Sequence, residues 1–329
     1  MKFEKFFKNK KILITGGSGM IGLSLIKKLK DFDCKIIICS VDDYRKVKKY
    51  IPNKVKFVKL DLRIKKHCLK ITKNIDYVFH LMGVKSNTQK KYKDITSTFS
   101  AFLTCNIYMM EAAFKNNVKK FLFIGSIGQY PPIKKRKEED VWNGLPSAND
   151  KYMGITKRTG EIFAEAFLKE FNWNAVKIVR LSNVYGPYDK FHPTDSHVIP
   201  SLIKRTMDGE MPLKVAGDGT AKRDFIYVDD VVDGMLRAII LAPACYPINI
   251  GSGKAISIKK LAKTILKKSN KNIKISWEKN RPTGDDVRVL DISRAKKTLR
   301  FNPKTNLSLG ISKTIDWYLN NFKNDSRTI

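Results

Sequence analysis

The chain has 329 residues, 43% hydrophobic and 10% aromatic, enough for two domains or one large one with a substantial core. That balance excludes a disordered chain, a collagen-like fibre and a small disulfide-stapled scaffold. Lys and Arg exceed Asp and Glu by 33, a charge that raises nucleic acid or an anionic membrane as a partner. The excess consists of 51 Lys and only 13 Arg, scattered as Lys pairs over nearly every segment. A dedicated phosphate-reading surface concentrates Arg, whose fork makes two-point contacts. A compositional bias therefore explains the charge, and no specific nucleic-acid partner is expected.

Cys34, Cys39, Cys68, Cys105 and Cys245 are odd in number and contain no C-x-x-C pair, which argues against a disulfide framework and a zinc knuckle. No metal site is expected, and a reducing compartment fits. Charges interrupt the opening MKFEKFFKNK, and no run approaches the roughly 20 apolar residues of a membrane span. The expectation is a soluble, cytoplasmic protein with no membrane partner.

The segment KILITGGSGMIGLSLIKKLK reads as a strand, a tight turn and a helix with Ile21, Leu25, Ile26 and Leu29 on one side. Gly16, Gly19 and Gly22 follow a G-x-x-G-x-x-G spacing. Such glycines permit the turn, let backbone approach a pyrophosphate and let helix pack on strand, above the free N–H groups of a helix start. A ligand-free glycine turn is the bland alternative. The position in the first strand–helix unit favours a dinucleotide, with Met20 and Ile21 beside it.

Parallel-type strands are predicted at 35–39, 55–58, 76–81, 120–124 and 175–180, alternating with helical stretches. This calls for an α/β fold, a Rossmann-type doubly wound parallel sheet. At the end of the second strand an acidic residue would accept from the adenosine 2′-hydroxyl, whereas a nearby Arg would favour a 2′-phosphate. Ser40 holds that position, Asp42 lies 20 residues after Gly22, and Arg45 follows. NAD and NADP both stay open as cofactor.

Taken together, ITGGSGMIG, LDLR, FLFIGSIGQYP, MGITKRTGE, RLSNVYGP and GDGTAKRDFIYVDDVVDGM resemble, in order, the extended short-chain dehydrogenase/reductases called NAD-dependent epimerase/dehydratases, which act on nucleotide sugars. NVYGPYDKFHPTDSHVIPSLIKR is most similar to the GDP-fucose synthase branch. The resemblance implies a NAD(P)-dependent epimerase or oxidoreductase moving hydride at carbon 4 of a nucleoside-diphosphate sugar, usually as a homodimer through helices near 96–116 and 151–170. It implies cofactor contacts at Asp61, Leu62 and Met82, a catalytic Ser126, and Lys157 serving both catalysis and cofactor.

The family's Tyr stands four residues before that Lys, so that both project into one site. Here the position is Met153, and a thioether transfers no proton. Tyr152 is five residues away, about 140° round the helix. Either a distorted helix start brings Tyr152 in, or the enzyme works without the usual acid, through Ser126, water or the substrate; the second is preferred. A non-catalytic sugar-nucleotide binder is the alternative. After Ser126 come Ile127, Gly128 and Gln129, so the Asp–Glu pair of the family's 4,6-dehydratases is missing, and a dehydratase is the lesser alternative. The branch's Cys, paired with the SHVIP histidine, is Gly128 here, which leaves His197 as a sugar-hydroxyl donor or a lone proton shuttle; the resemblance implies substrate contacts at His197 and the adjoining Val198.

The resemblance also divides the chain: 1–183 plus about 224–255 as the dinucleotide-binding domain, and about 184–223 plus 256–329 as a smaller mixed α/β domain for the nucleotide sugar. Asn183, Arg205, Arg223 and Arg288 match positions around base and diphosphate, where two-point Arg contacts offset desolvation. Each Arg could instead be an ion-pair partner. Lys85 and Arg281 are weaker candidates, read as solvated.

Overall fold

The computed structural model describes residues 3–83, 94–192, 196–281 and 283–322. Its main sheet consists of β1 (Lys10–Thr15), β2 (Cys34–Ser40), β3 (Lys56–Lys59), β4 (Tyr77–His80), β5 (Lys120–Ser126), β7 (Val176–Leu181) and β12 (Pro247–Ile250). They pair in parallel in the order β12-β7-β5-β4-β1-β2-β3. The order reverses between β1 and β4, and in such sheets the crevice beyond the strand ends at the reversal is where ligands bind.

Helices of eight residues or more are numbered. They are α1 (Met20–Leu29), α2 (Lys65–Thr72), α3 (Ile95–Lys115), α4 (Lys151–Phe171), α5 (Val198–Met207), α6 (Val228–Leu241), α7 (Ile258–Lys268) and α8 (Leu307–Asn321). Strands buried on both faces need helices on both. Leu25 and Ile26 of α1 and Met235 and Ile239 of α6 cover one side with Ile12, Ile14 and Phe79. Met109 and Met110 of α3 and Ala164 and Phe167 of α4 cover the other with Leu13, Val78 and Phe121. Each such fully buried large side chain contributes about 1.5–3 kcal/mol relative to exposure.

The remaining chain builds a second core around Phe191, Ile203, Leu261 and Ile315. Ser257 starts α7 by accepting from the Lys260 N–H at 3.1 Å, and Asn306 starts α8 by accepting from Leu309 N–H at 2.9 Å. Short strands complete this lobe and its junction with the first. They are β6 (Lys135–Arg136), β8 (Asn183–Tyr185), β9 (Leu213–Ala216), β10 (Lys222–Arg223), β11 (Phe225–Tyr227), β13 (Ile256–Ser257), β14 (Ile275–Glu278) and β15 (Val287–Leu290). They form a four-stranded sheet β13-β10-β15-β6 and two pairs, β8–β11 and β9–β14. Most are too short to show alternation in sequence. β11 pairs with β8 outside the main sheet, while β12 adds the seventh strand.

Candidate active site

The glycine turn follows β1 at the reversal point. Gly16 has φ +65°, and a Cβ there would stand 2.9 Å from the Leu81 carbonyl oxygen and 3.1 Å from Met82 Cα. Gly22 abuts Gly17, whose backbone a Cβ would meet at 2.6 Å, and Gly17 in turn lies against Ile38 of β2. Gly17 escaped the sequence reading, although the Gly16–Gly17 doublet was its signal. Gly19 precedes α1 in extended conformation, and half-buried Met20 and Ile21 open the helix. No side chain caps α1, so its first N–H groups face the crevice unspent by a cap. A bare backbone cradle at a helix start fits a dinucleotide pyrophosphate.

Ser18 donates to Asp42 Oδ2 at 2.6 Å and bonds Ser40 Oγ at 2.8 Å, so both second-strand candidates are tied to the loop. Arg45 is instead gripped by Asp43, through Nε at 3.1 Å and Nη2 at 2.7 Å. Asp61 is likewise paired with Arg63 at 2.6 Å, Leu62 is buried in the core, and Met82 is half-buried at the end of β4. His80, missed in sequence, ends β4 between Thr15 (2.9 Å) and Asn106 (3.1 Å). Burial, aided by the Lys157 charge, lowers it to about 3, so it stays neutral.

β5 delivers Ser126 to the neighbouring strand end. Ser126 Oγ accepts from Gly128 N–H at 3.1 Å, which leaves its own proton for another acceptor. Its backbone N–H donates to Gln129 at 2.6 Å, Gln129 donates to Glu161 at 2.8 Å, and Glu161 receives two bonds from buried Arg180 at 2.9 and 2.6 Å. Gly125 makes room: a Cβ there would lie 2.2 Å from the Gln129 oxygen. Sequence reasoning passed over this support, though Glu161 stands one helical turn beyond Lys157.

α4 carries Lys157, whose ammonium sits 5.3 Å from the Phe102 ring centre and 5.2 Å from that of Phe123. Burial lowers it to about 8, against the opposing pull of Glu161. Among the described residues it has no hydrogen bond or ion pair. The helix is regular from Lys151, so Tyr152 is not wound into register with Lys157. Its ring is 45% exposed and packs edge-on to Phe99 at 6.3 Å. Met153 is half-buried, one turn before Lys157.

The residues directly after Ser126 bring no carboxylate, but the fold places one beside Gly128: Asp150, preceding α4, has Cγ 3.2 Å and Oδ1 3.4 Å from where a Gly128 Cβ would be. The absence of acidic residues directly after Ser126 hid it, because proximity here arises through the fold.

On the second lobe, Arg223 and Arg288 are register partners on β10 and β15, with Arg136 on adjoining β6. Arg288 donates to Asp150 at 2.7 Å, and Arg136 to Asp285 at 2.8 Å. Among the described residues Arg223 donates only to carbonyls, those of Lys222, Thr283 and Asp286. Burial, then the Arg288 charge, lowers its pKa. Such a cation suits an anionic ligand. Arg205 shows the ion-pair alternative instead, bound to Glu210 at 2.6 and 2.5 Å, and Arg281 pairs with Glu278. Asn183 donates to the Asp224 carbonyl at 2.8 Å. His197 is exposed at the N-cap of α5, and Val198 is half-buried beside it. Lys85 lies outside the described residues. Among those residues no His, Cys, Asp and Glu group could hold a metal, and no helix is long and apolar enough to cross a membrane.

The chain is 28% identical to the GDP-L-fucose synthase of Sinorhizobium fredii, with 95% of this chain and 96% of the relative covered. It is 28% identical to the GDP-L-colitose synthase of Yersinia pseudotuberculosis, covering 96% and 100%. The crystal structure of Bacillus cereus UDP-glucuronic acid 4-epimerase with UDP-glucuronic acid and NAD aligns with TM-score 0.82 and 25% identity, over 94% of this chain and 99% of that one. The profile of the NAD dependent epimerase/dehydratase family matches residues 12–251. With that match spanning most of the chain, and the glycine cradle and Lys157 in place, the protein belongs to the NAD dependent epimerase/dehydratase family and is a nicotinamide-dependent nucleotide-sugar enzyme.

Proposed function

We infer that the protein oxidises or reduces carbon 4 of a hexose carried on a nucleoside diphosphate, GDP being favoured by the fucose and colitose synthase relatives. The observation that carries this reading is Lys157: an ammonium held in an aromatic niche without a fixed partner among the described residues, on the helix that packs against the Ser126 strand. Gly16, Gly17, Gly19 and Gly22 would hold the dinucleotide, with Leu62 and Met82 near its adenine. Asp42 favours NAD over NADP, because its carboxylate at the loop rim repels a 2′-phosphate while Arg45 is occupied by Asp43. Bound nicotinamide supplies or accepts the hydride. Ser126 donates to the reacting sugar oxygen, and the Lys157 cation stabilises negative charge there. Arg223 and Arg288 take the diphosphate, Asn183 lines the base side, and His197 donates to a sugar hydroxyl.

A homodimer through α3 and α4 is supported by Ile162 and Phe171, 49% and 48% exposed on α4. A cytoplasmic site of action is supported by five free thiols. The test is incubation of purified protein with GDP-, UDP-, CDP- and dTDP-hexoses, following nicotinamide absorbance and product mass. Epimerised or reduced product is expected. Loss of water would indicate a dehydratase, and binding without conversion would establish the second reading, a non-catalytic binder, which Met153 favours.

A further inference from the structure

The pair Asp150–Arg288 joins the two halves of the site. Asp150 precedes α4, one turn before Met153 and Gly154 and two before Lys157, so all lie toward one face. Gly154 packs flush on the Ser126 turn, where a Cβ would meet the Gly128 oxygen at 2.5 Å. That close approach fixes the start of α4 and hence Asp150. Its carboxylate makes no capping bond, so it is not used in holding the helix. Oδ2 accepts from Arg288, with the two side chains 21% and 16% exposed. Oδ1, facing Gly128, accepts no hydrogen bond among the described residues, and Gly128 has no side chain to cover it.

We propose that Asp150 is the catalytic acid/base of this enzyme, doing from the N-terminus of α4 what Met153 cannot do from its first turn. The proposal rests on the nucleotide-sugar reading above. An incoming diphosphate competes with Asp150 for Arg288, and its capture releases the carboxylate toward the sugar. In oxidation Oδ1 takes the proton of the carbon-4 hydroxyl. The O–H electron pair becomes the second bond of the ketone, and the C–H pair leaves as hydride to the family's nicotinamide. Return of the same hydride and proton to the opposite face of carbon 4, after the keto-sugar has turned over, completes an epimerisation.

Two consequences oppose each other and so separate this role from a merely structural one. Replacing the carboxylate removes the nearer of the two carboxylates that hold Arg288, leaving Asp285 at 3.6 Å, so nucleoside diphosphate binds more tightly while turnover falls. Asp150→Asn and Asp150→Ser both keep residue types favoured before a helix. Titrating GDP, UDP, CDP and dTDP calorimetrically into full-length wild type and variants, about a 3- to 10-fold gain in affinity is expected for whichever diphosphate wild type binds. Turnover of the panel sugar should drop about 100-fold or more, and Asp150→Glu should restore it to within about 10-fold of wild type. Unchanged or weaker diphosphate binding in the folded variants, or turnover within about 3-fold of wild type, overturns the proposal alone. A wild type that binds none of the four diphosphates overturns the nucleotide-sugar reading, and this proposal with it.

Discussion

The turn proposed to cradle the dinucleotide and the cleft proposed to face the sugar are built by different means. The first comes from one continuous stretch, Gly16 to Gly22, held by backbone against Leu81 and Ile38, with Ser18 tying in Asp42. The second is assembled from β5, the start of α4, β10 and β15, with Ser126, Lys157, Asp150, Arg223 and Arg288 contributed separately. A site made of local backbone tolerates almost no added atom. A site made of converging side chains tolerates exchange of its parts, which is how Met can stand at position 153 while a carboxylate enters from position 150.

The contrast predicts turnover defects where sugar-side groups face the cleft, stability defects where buried groups support them from behind, and binding or stability defects on the cofactor side. The largest effect is expected for Lys157→Ala, a loss of about 10²–10⁴ in kcat; full activity would remove Lys157 from the chemistry. Next is Glu161→Gln, which leaves Arg180 as an uncompensated buried cation at a cost of about 3–5 kcal/mol, read by denaturant unfolding. Gly22→Ala should cost about 1–3 kcal/mol through overpacking against Gly17 and weaken NAD binding in calorimetry more than it lowers kcat.

The smallest effect is on pH dependence. Lys157 titrates at about 8 in the fold and at its ordinary 10.5 when unfolded. Between those values the unfolded chain holds more protons, so ligand-free stability rises with pH there. Activity that needs the ammonium falls as pH passes about 8. Lys157→Met should flatten the stability trend, which thermal melts across pH 7.5–10.5 would show.

The strands and the glycine turn were legible in the sequence because each is local: a β-branched run, a glycine spacing, a helical period. Helices at 96–116 and 151–170, implied by the family resemblance, were placed within a residue or so. Lys157 and Ser126 were found through motif order. Asp150, Gln129 and Arg180 were not, since their significance lies in contacts between segments 19 to 138 residues apart. The short strands β6, β10 and β13, two residues each, carry no readable period. Arg205 looked like Arg223 in sequence and differs only in having Glu210 at hand.

The small sheet uniting β6 with β15 bears on how this protein can be cut. A fragment ending near residue 255 would encode all seven parallel strands, yet it would strip Arg136 of Asp285 and remove the Asp291 carbonyl to which Asn249 donates. Both stranded groups are fully buried. The boundary drawn by sheet topology is therefore no place to sever the chain: the larger half depends on its tail for charge balance, and neither piece should be expected to stand as a module for grafting or exchange.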